Sequence, residues 1–271
     1  MSVAISFSAL AGFICYRHGL DWTGVAVFVG VLFLASGASA LNQYQERHLD
    51  ALMIRTKKRP LPMGQLKPST VIAITAAMII IGLLLLYFLT TPLTALLGLF
   101  NILWYNAVYT PLKRVTSFAL LVGSLTGAIP PMMGWTAAGG SLLDHDIMFI
   151  ALFMFFWQIP HFCLLLLKFK KDYEIAGFPS ITSIMEEKNV HFIIFIWIIG
   201  TSVSTLVFPL FQIISGTFLI ACIVLLNITL VLFFFRTTFN KTKGFNLNRA
   251  FRSLYLYQII ILAILIVQAL K

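Results

Sequence analysis

Asn42, Glu46 and Asp50 stand at i, i+4 and i+8 within NQYQERHLDALMIRTKKRP, residues 42–60. On a helix that spacing lines up a carboxamide and two carboxylates along one face. Such an all-oxygen set suits Mg²⁺, a hard ion that commonly shares its coordination with a substrate phosphate. Arg55, Lys58 and Arg59 follow within a few turns and suit polyanionic oxygens. A second cluster lies in FFWQIPHFCLLLLKFKKDYEIAGFP, residues 155–179. There Pro160 interrupts an apolar run just before His161, and Lys168, Lys170, Lys171, Asp172, Tyr173 and Glu174 close it. A proline-freed backbone at membrane depth is tolerated where protein or a cavity covers it. Lys113 and Arg114, in YTPLKR at 109–114, add cations between the two clusters.

The elements that must hold these residues are membrane helices. The 271 residues are 60% hydrophobic and only 10% charged, with a mean hydropathy of +0.96, outside the range of a soluble domain. Apolar windows predict about nine spans, placed at 1–17, 22–42, 69–89, 92–109, 117–138, 147–168, 190–208, 212–235 and 250–270. No linker or composition shift divides them, so a single domain over 1–271 is expected, an all-α bundle. The first run has no basic flank and no soluble domain after it, which makes it a first helix and not a signal peptide. Cys15, Cys163 and Cys222 lie far apart inside apolar segments and form neither a disulfide framework nor a zinc pair.

Connections after the second, fourth, sixth and eighth spans, with the adjoining helix ends, carry seventeen of the nineteen Lys and Arg, Lys241 and Lys243 among them. Basic residues are retained in the cytoplasm during insertion, which predicts a cytoplasmic N-terminus, an outer C-terminus and cytoplasmic polar clusters. That bias alone accounts for basic loops; it does not account for Glu46 and Asp50. Ionisable groups at the edge of a span are costly unless they face a wet cavity or a partner. The partner of the apolar surface is the lipid bilayer, and no nucleic-acid partner is expected.

Five ordered blocks carry a resemblance: Asn42-x₃-Glu46-x₃-Asp50 with RTKKRP, then YTPLKR, GSLTGAIPPMMGW (123–135), WQIPHF and DYEIAGFP. Together they resemble the UbiA superfamily of intramembrane prenyltransferases, and within it the heme-modifying branch. The resemblance runs through all the predicted spans. It implies a helical bundle around a cavity open to the cytoplasm and to lipid, in a bacterial inner membrane. It also implies a Mg²⁺-dependent transfer of the farnesyl group of farnesyl diphosphate to the 2-vinyl group of heme B, with water completing the addition to give heme O. Association with heme A synthase or terminal-oxidase assembly is a further implication.

On this resemblance Asn42, Glu46 and Asp50 hold Mg²⁺, with Asp172 facing them from the opposite side. Arg55, Arg59, Lys113, Arg114 and Lys171 take up charge on the leaving diphosphate. His161 is a catalytic or heme-binding candidate, as iron ligand, proton relay or hydrogen-bonding residue. Trp104, Tyr105, Tyr109, Trp135 and Trp157 are either shelters for an allylic cation or packing and interface anchors. The chain departs from the family's N-x₃-D-x-D-x-D pattern at Glu46 and His48; the second change removes a carboxylate. The family pattern also carries a short basic leader ahead of the first helix. The glycines of GSLTG are expected to let their helix approach a neighbour closely, with Gly30 and Gly37 as packing residues and Pro130–Pro131 as a bend. Two other readings remain beside this one: prenylation of an aromatic quinone precursor, and a heme-binding homologue that has lost catalysis. A transporter would show duplicated, broken segments, and none is found.

Overall fold

Without water in the bilayer core, backbone polar groups must bond within their own segment, and long apolar runs therefore settle as helix. The computed structural model describes residues 1–239 and 245–271, apart from the side chain of Ser183; Lys241 and Lys243 lie outside the described residues. Among the described residues the regular structure is entirely helical, as expected. The long helices are α1 (Ser2–Arg17), α2 (Trp22–Gln45), α3 (Pro68–Leu89), α4 (Pro92–Leu103), α5 (Ala119–Ala137), α6 (His145–Lys168), α7 (Glu187–Leu210), α8 (Thr217–Phe239) and α9 (Leu247–Ala269). Side-chain caps start three of them: Asp21 accepts from Gly24 N, Thr91 from Thr94 N ahead of Pro92, and Asn246 from Arg249 N.

Seven helices among the described residues are long and apolar enough to cross a membrane, fewer than the nine spans expected. The two others have distinct physical reasons. Helix α1 has 16 residues, about 24 Å at 1.5 Å per residue, short of a hydrocarbon layer of about 30 Å. Helix α5 carries Gly, Ser, Thr and Pro among its apolar residues, and most of it, from Ala128 to Ala137, is buried by neighbouring helices. A helix screened from lipid by protein does not need a lipid-facing surface.

The core divides into two large parts, with a small third cluster of Met53, Ala176 and Phe178 beside them. One joins α1 to α5 around Phe13, Val31, Leu34, Leu86 and Met133; the other joins α5 to α9 around Phe153, Leu164, Ile194, Phe208 and Phe234. Glycine sets the contact between α1 and α5, although not the glycines of GSLTG. A Cβ on Gly12 would run into the Pro131 carbonyl, and one on Gly134 into the Ala9 carbonyl. Gly123 and Gly127 instead leave room for the Tyr109 ring and the Gln158 side chain. Gly30 and Gly37 pack on Leu86 and Ile79 of α3, as expected. Cys15, Cys163 and Cys222 are all free thiols.

Three buried polar groups inside the second part are paired with each other. Thr205 Oγ1 and Asn227 Oδ1 each lie 2.8 Å from the Tyr257 hydroxyl, and Asn227 Nδ2 donates to Thr205 Oγ1 at 3.0 Å. The triad joins α7, α8 and α9; bonds of this kind contribute about 0.6 kcal/mol each between membrane helices.

Candidate active site

Helix α2 carries its acids out of the bundle without losing their alignment. The backbone turns off helical geometry at Glu46, yet Glu46 N still donates to Asn42 O at 2.9 Å and Asp50 N to Glu46 O at 2.7 Å. Asn42, Glu46 and Asp50 consequently line one cavity between the two parts of the core. Glu46 and Asp50 are only 5% and 1% exposed. Each has its own cation: Lys113 Nζ lies 2.8 Å from Glu46 Oε2, and Arg59 Nη1 lies 2.7 Å from Asp50 Oδ2. Burial lowers the Lys113 pKa from its ordinary value, while the Glu46 carboxylate pulls it the other way.

The wall beside the acids comes from an irregularity that the sequence does not announce. After Leu103, α4 widens into a π-helical segment, Trp104–Tyr109, and ends through Thr110–Leu112. Segments of this kind insert an extra residue into a turn and recur at functional sites. Here it turns Tyr105, Tyr109 and Lys113 toward the cavity, with the two tyrosine rings stacked at 5.6 Å. Asn42 Nδ2 donates to Thr110 Oγ1 at 3.1 Å, and Asn106 Nδ2 to the Ala38 carbonyl, so α2 and the π segment are pinned together.

Helix α6 forms the third wall. The His161 ring is 8% exposed and lies parallel to Trp157 at 5.3 Å; Tyr255 and Phe251 of α9 stand edge-on to it. Its Nδ1 is buried without a hydrogen-bond partner, and the residue lines the cavity.

Not every expected residue reaches this cavity. Asp172 is buried, but its carboxylate accepts from the backbone N–H groups of Ile54, at 2.8 Å, and Arg55, at 3.3 Å. It thus clamps the loop that carries Arg55 and Arg59, and does not line the cavity with Glu46 and Asp50. Arg114 donates to the Gln45 carbonyl at 2.8 Å, and Lys171 is exposed; both stand off the cavity wall. Arg55 lines it, with its guanidinium 4.3 Å from the centre of the Phe169 ring. Of the five aromatics singled out, Tyr105, Tyr109 and Trp157 line it. Trp104 bonds the Val122 carbonyl, and Trp135 bonds Asp144 at the far end of the bundle. His18 reaches the Ala269 carbonyl, His145 pairs with Asp146, His191 stacks on Phe245 and His48 is exposed, all structural or solvent-facing.

The sequence reading missed Asn101, Gln158, Gln258, Tyr173 and Phe178 as lining residues. The first three had a signal: a side-chain amide at membrane depth is costly unless it faces protein or a cavity. Tyr173 and Phe178 stand in the DYEIAGFP block, but its residues alone do not place them on the cavity wall.

No group of three or more His, Cys, Asp or Glu side chains able to cage a metal occurs among the described residues. Glu46 Oε1 is nevertheless buried and without a partner among the described residues, beside Asp50 in the cavity wall. Two carboxylates and a carboxamide, one oxygen free, fit a hard ion that takes its remaining ligands from water and phosphate.

An ionic mouth over an apolar, aromatic-walled cavity in a helical membrane bundle defines a class: intramembrane proteins that grip a substrate by a charged head and enclose its apolar body. Residues 4–257 match the UbiA prenyltransferase family, and the chain belongs to that family. It is 44% identical over 194 residues to a protoheme IX farnesyltransferase of Geobacter sulfurreducens, a match covering 72% of this chain and 70% of that protein. Its fold is similar to a structure of digeranylgeranylglyceryl phosphate synthase, with a TM-score of 0.81 at 16% identity, covering 100% of this chain and 94% of the other. It is also similar to a UbiA homologue from Archaeoglobus fulgidus bound to GPP and Mg²⁺, with a TM-score of 0.71 at 12% identity, covering 99% and 96%.

Proposed function

We propose that the chain transfers the farnesyl group of farnesyl diphosphate to the 2-vinyl group of heme B, giving heme O. The observation that carries this reading is the pair of buried carboxylates, each matched to its own cation, at the mouth of a cavity walled by tyrosines and tryptophan. The heme acceptor is supported by the 44% identity to a protoheme IX farnesyltransferase.

Glu46 and Asp50, with the Asn42 carboxamide oxygen, are the groups to hold Mg²⁺, and an Archaeoglobus relative of the same fold binds Mg²⁺ together with GPP. When bound, the ion neutralises diphosphate charge as the leaving group departs. Lys113 and Arg59, released from their carboxylates, turn to the diphosphate oxygens, and Arg55 joins them from the clamped loop. Fixed cations in a site shielded from bulk water stabilise developing charge far more than they would in water. The Tyr105 and Tyr109 faces shelter the allylic carbon as its bond to diphosphate oxygen breaks. That carbon bonds the terminal carbon of the vinyl group, and water oxygen adds to the inner carbon with loss of a proton. His161 offers its unpaired ring nitrogen on the acceptor side. Asp172 acts through the loop it clamps.

The whole chain, 1–271, works as one domain in this reading. The mouth faces the cytoplasm of a bacterial inner membrane, where the basic connections are retained, and heme O passes to terminal-oxidase assembly and heme A synthase.

The test is turnover by purified protein in detergent, with heme B and farnesyl diphosphate, Mg²⁺ present or chelated, read by mass spectrometry of extracted hemes. Heme O is expected only with Mg²⁺. Prenylation of an aromatic quinone precursor, with heme B left unchanged, would overturn the choice of acceptor.

A further inference from the structure

The cations around the mouth are not equivalent. Lys113 and Arg59 hold the cavity carboxylates, Lys170 pairs with Glu187 and Lys188 with Glu186. Lys168 has no acidic partner among the described residues; its ammonium rests over the rings of Phe251 at 5.1 Å and Phe169 at 5.8 Å. Its place on α6 is specific. Trp157, His161 and Leu165 line the cavity at intervals of four, and Lys168 follows Leu165 by three, one turn beyond the rim on the same face. Tyr255 of α9 also lines the cavity, and Tyr255 and Phe251 both meet His161 edge-on. Aromatic rings therefore run from Trp157 to Phe251, and the Lys168 ammonium stands over the last of them.

Helices α2 and α6 both end toward the mouth, α2 at Gln45 and α6 at Lys168. His161, seven residues earlier, lies about 10 Å deeper. That separation matches the reach from the middle of a flat tetrapyrrole to its propionate carboxylates.

We propose that the acceptor lies against the α6–α9 wall with its carboxylates at the mouth, paired with Lys168, and its ring beside His161. This rests on the heme-acceptor reading above and adds an orientation to it. Lys168 is a positioning residue for the acceptor and not part of the diphosphate grip.

The experiment compares Lys168→Met, which keeps the apolar stem, with Lys168→Arg, which keeps the charge. KM is measured separately for heme B and for farnesyl diphosphate, and heme B dimethyl ester serves as an acceptor without carboxylates. Lys168→Met is expected to raise KM for heme B about three- to fivefold, the scale of one lost exposed charge pairing. KM for farnesyl diphosphate and kcat should stay within about twofold, Lys168→Arg should restore the parent behaviour, and the preference for heme B over its ester should collapse in Lys168→Met. A rise in KM for farnesyl diphosphate instead would assign Lys168 to the diphosphate and overturn the proposal. An acid-over-ester preference that survives in Lys168→Met would leave Lys168 as a membrane-surface anchor and overturn it too. Absorbance titrations of heme B and the ester, without farnesyl diphosphate, separate the two readings. If no protein forms heme O the transfer reaction falls, while loss or survival of acid-over-ester discrimination still decides the orientation.

Discussion

At the scale of single residues, Asp50 and Asp172 show how the same buried carboxylate serves two ends. Asp50 lines the cavity and holds a cation that can be exchanged, Arg59 at 2.7 Å. Asp172 holds backbone N–H groups, which cannot leave without moving the loop. Hydrogen bonds to a charged group contribute about 1.5–3 kcal/mol each, enough to order a short loop. Asp50→Asn keeps the shape and removes the charge, and kcat is expected to fall about a hundredfold, the scale seen when one charge-stabilising group is lost from a shielded site. Heme O formation at saturating substrate, alongside an unchanged elution profile in detergent, checks this; undiminished turnover would remove Asp50 from the site. Asp172→Asn should act otherwise. It loosens the 54–59 loop, speeding tryptic cleavage after Arg55, Lys57 and Lys58 and raising KM for farnesyl diphosphate about tenfold, with kcat little changed. A fall in kcat with an intact loop would return Asp172 to the role of metal ligand.

At the scale of elements, the π-helical segment Trp104–Tyr109 decides which α4 side chains face the cavity. Removing its extra residue would restore α geometry and rotate everything downstream by about 100°. Ala107 is exposed, so its deletion removes little packing of its own. The deletion is expected to swing Tyr109 and Lys113 off the wall, break the Lys113–Glu46 pair and reduce turnover at least about a hundredfold, with farnesyl diphosphate binding lost in equilibrium dialysis. Turnover within a few-fold of the parent would mean that the segment serves packing alone. Nothing in WYNAVY marks this irregularity, because it arises from how α4 must meet α2 and α5 at once. The alignment of Asn42, Glu46 and Asp50 was legible, since the helical period alone creates it. The clamp of Asp172 on Ile54 and Arg55 was not, since it joins residues more than a hundred positions apart. The glycines misled for a related reason: GSLTG has the spacing of a backbone contact, yet Gly123 faces a tyrosine ring, and Gly12 and Gly134 make the close approach.

At the scale of the whole molecule, composition and long apolar runs made the all-α membrane bundle legible, while the number of crossings depended on which helices meet lipid. Helix α5 shows this, because protein covers it where hydropathy expected hydrocarbon. The clustering of charge at one end has a consequence for substrate supply. Glu46, Asp50, Arg55, Arg59 and Lys113 share the mouth with exposed Lys57, Lys58 and Lys171, whereas the far end carries Arg17, Asp21, Asp144 and Asp146. An excess of basic residues beside the spans holds its side in the cytoplasm. Alkaline phosphatase fused after Lys271 or inserted between 138 and 144 is therefore expected to be active, as it folds only outside the cytoplasm. The same reporter inserted between 61 and 66 is expected to be inactive, with a cytoplasmic fluorescent reporter giving the opposite pattern. Phosphatase activity at 61–66 would turn the ionic mouth outward. A diphosphate made in the cytoplasm could then reach Glu46 and Asp50 only by crossing the bilayer with its charge, and the proposed donor would have to be abandoned along with the orientation.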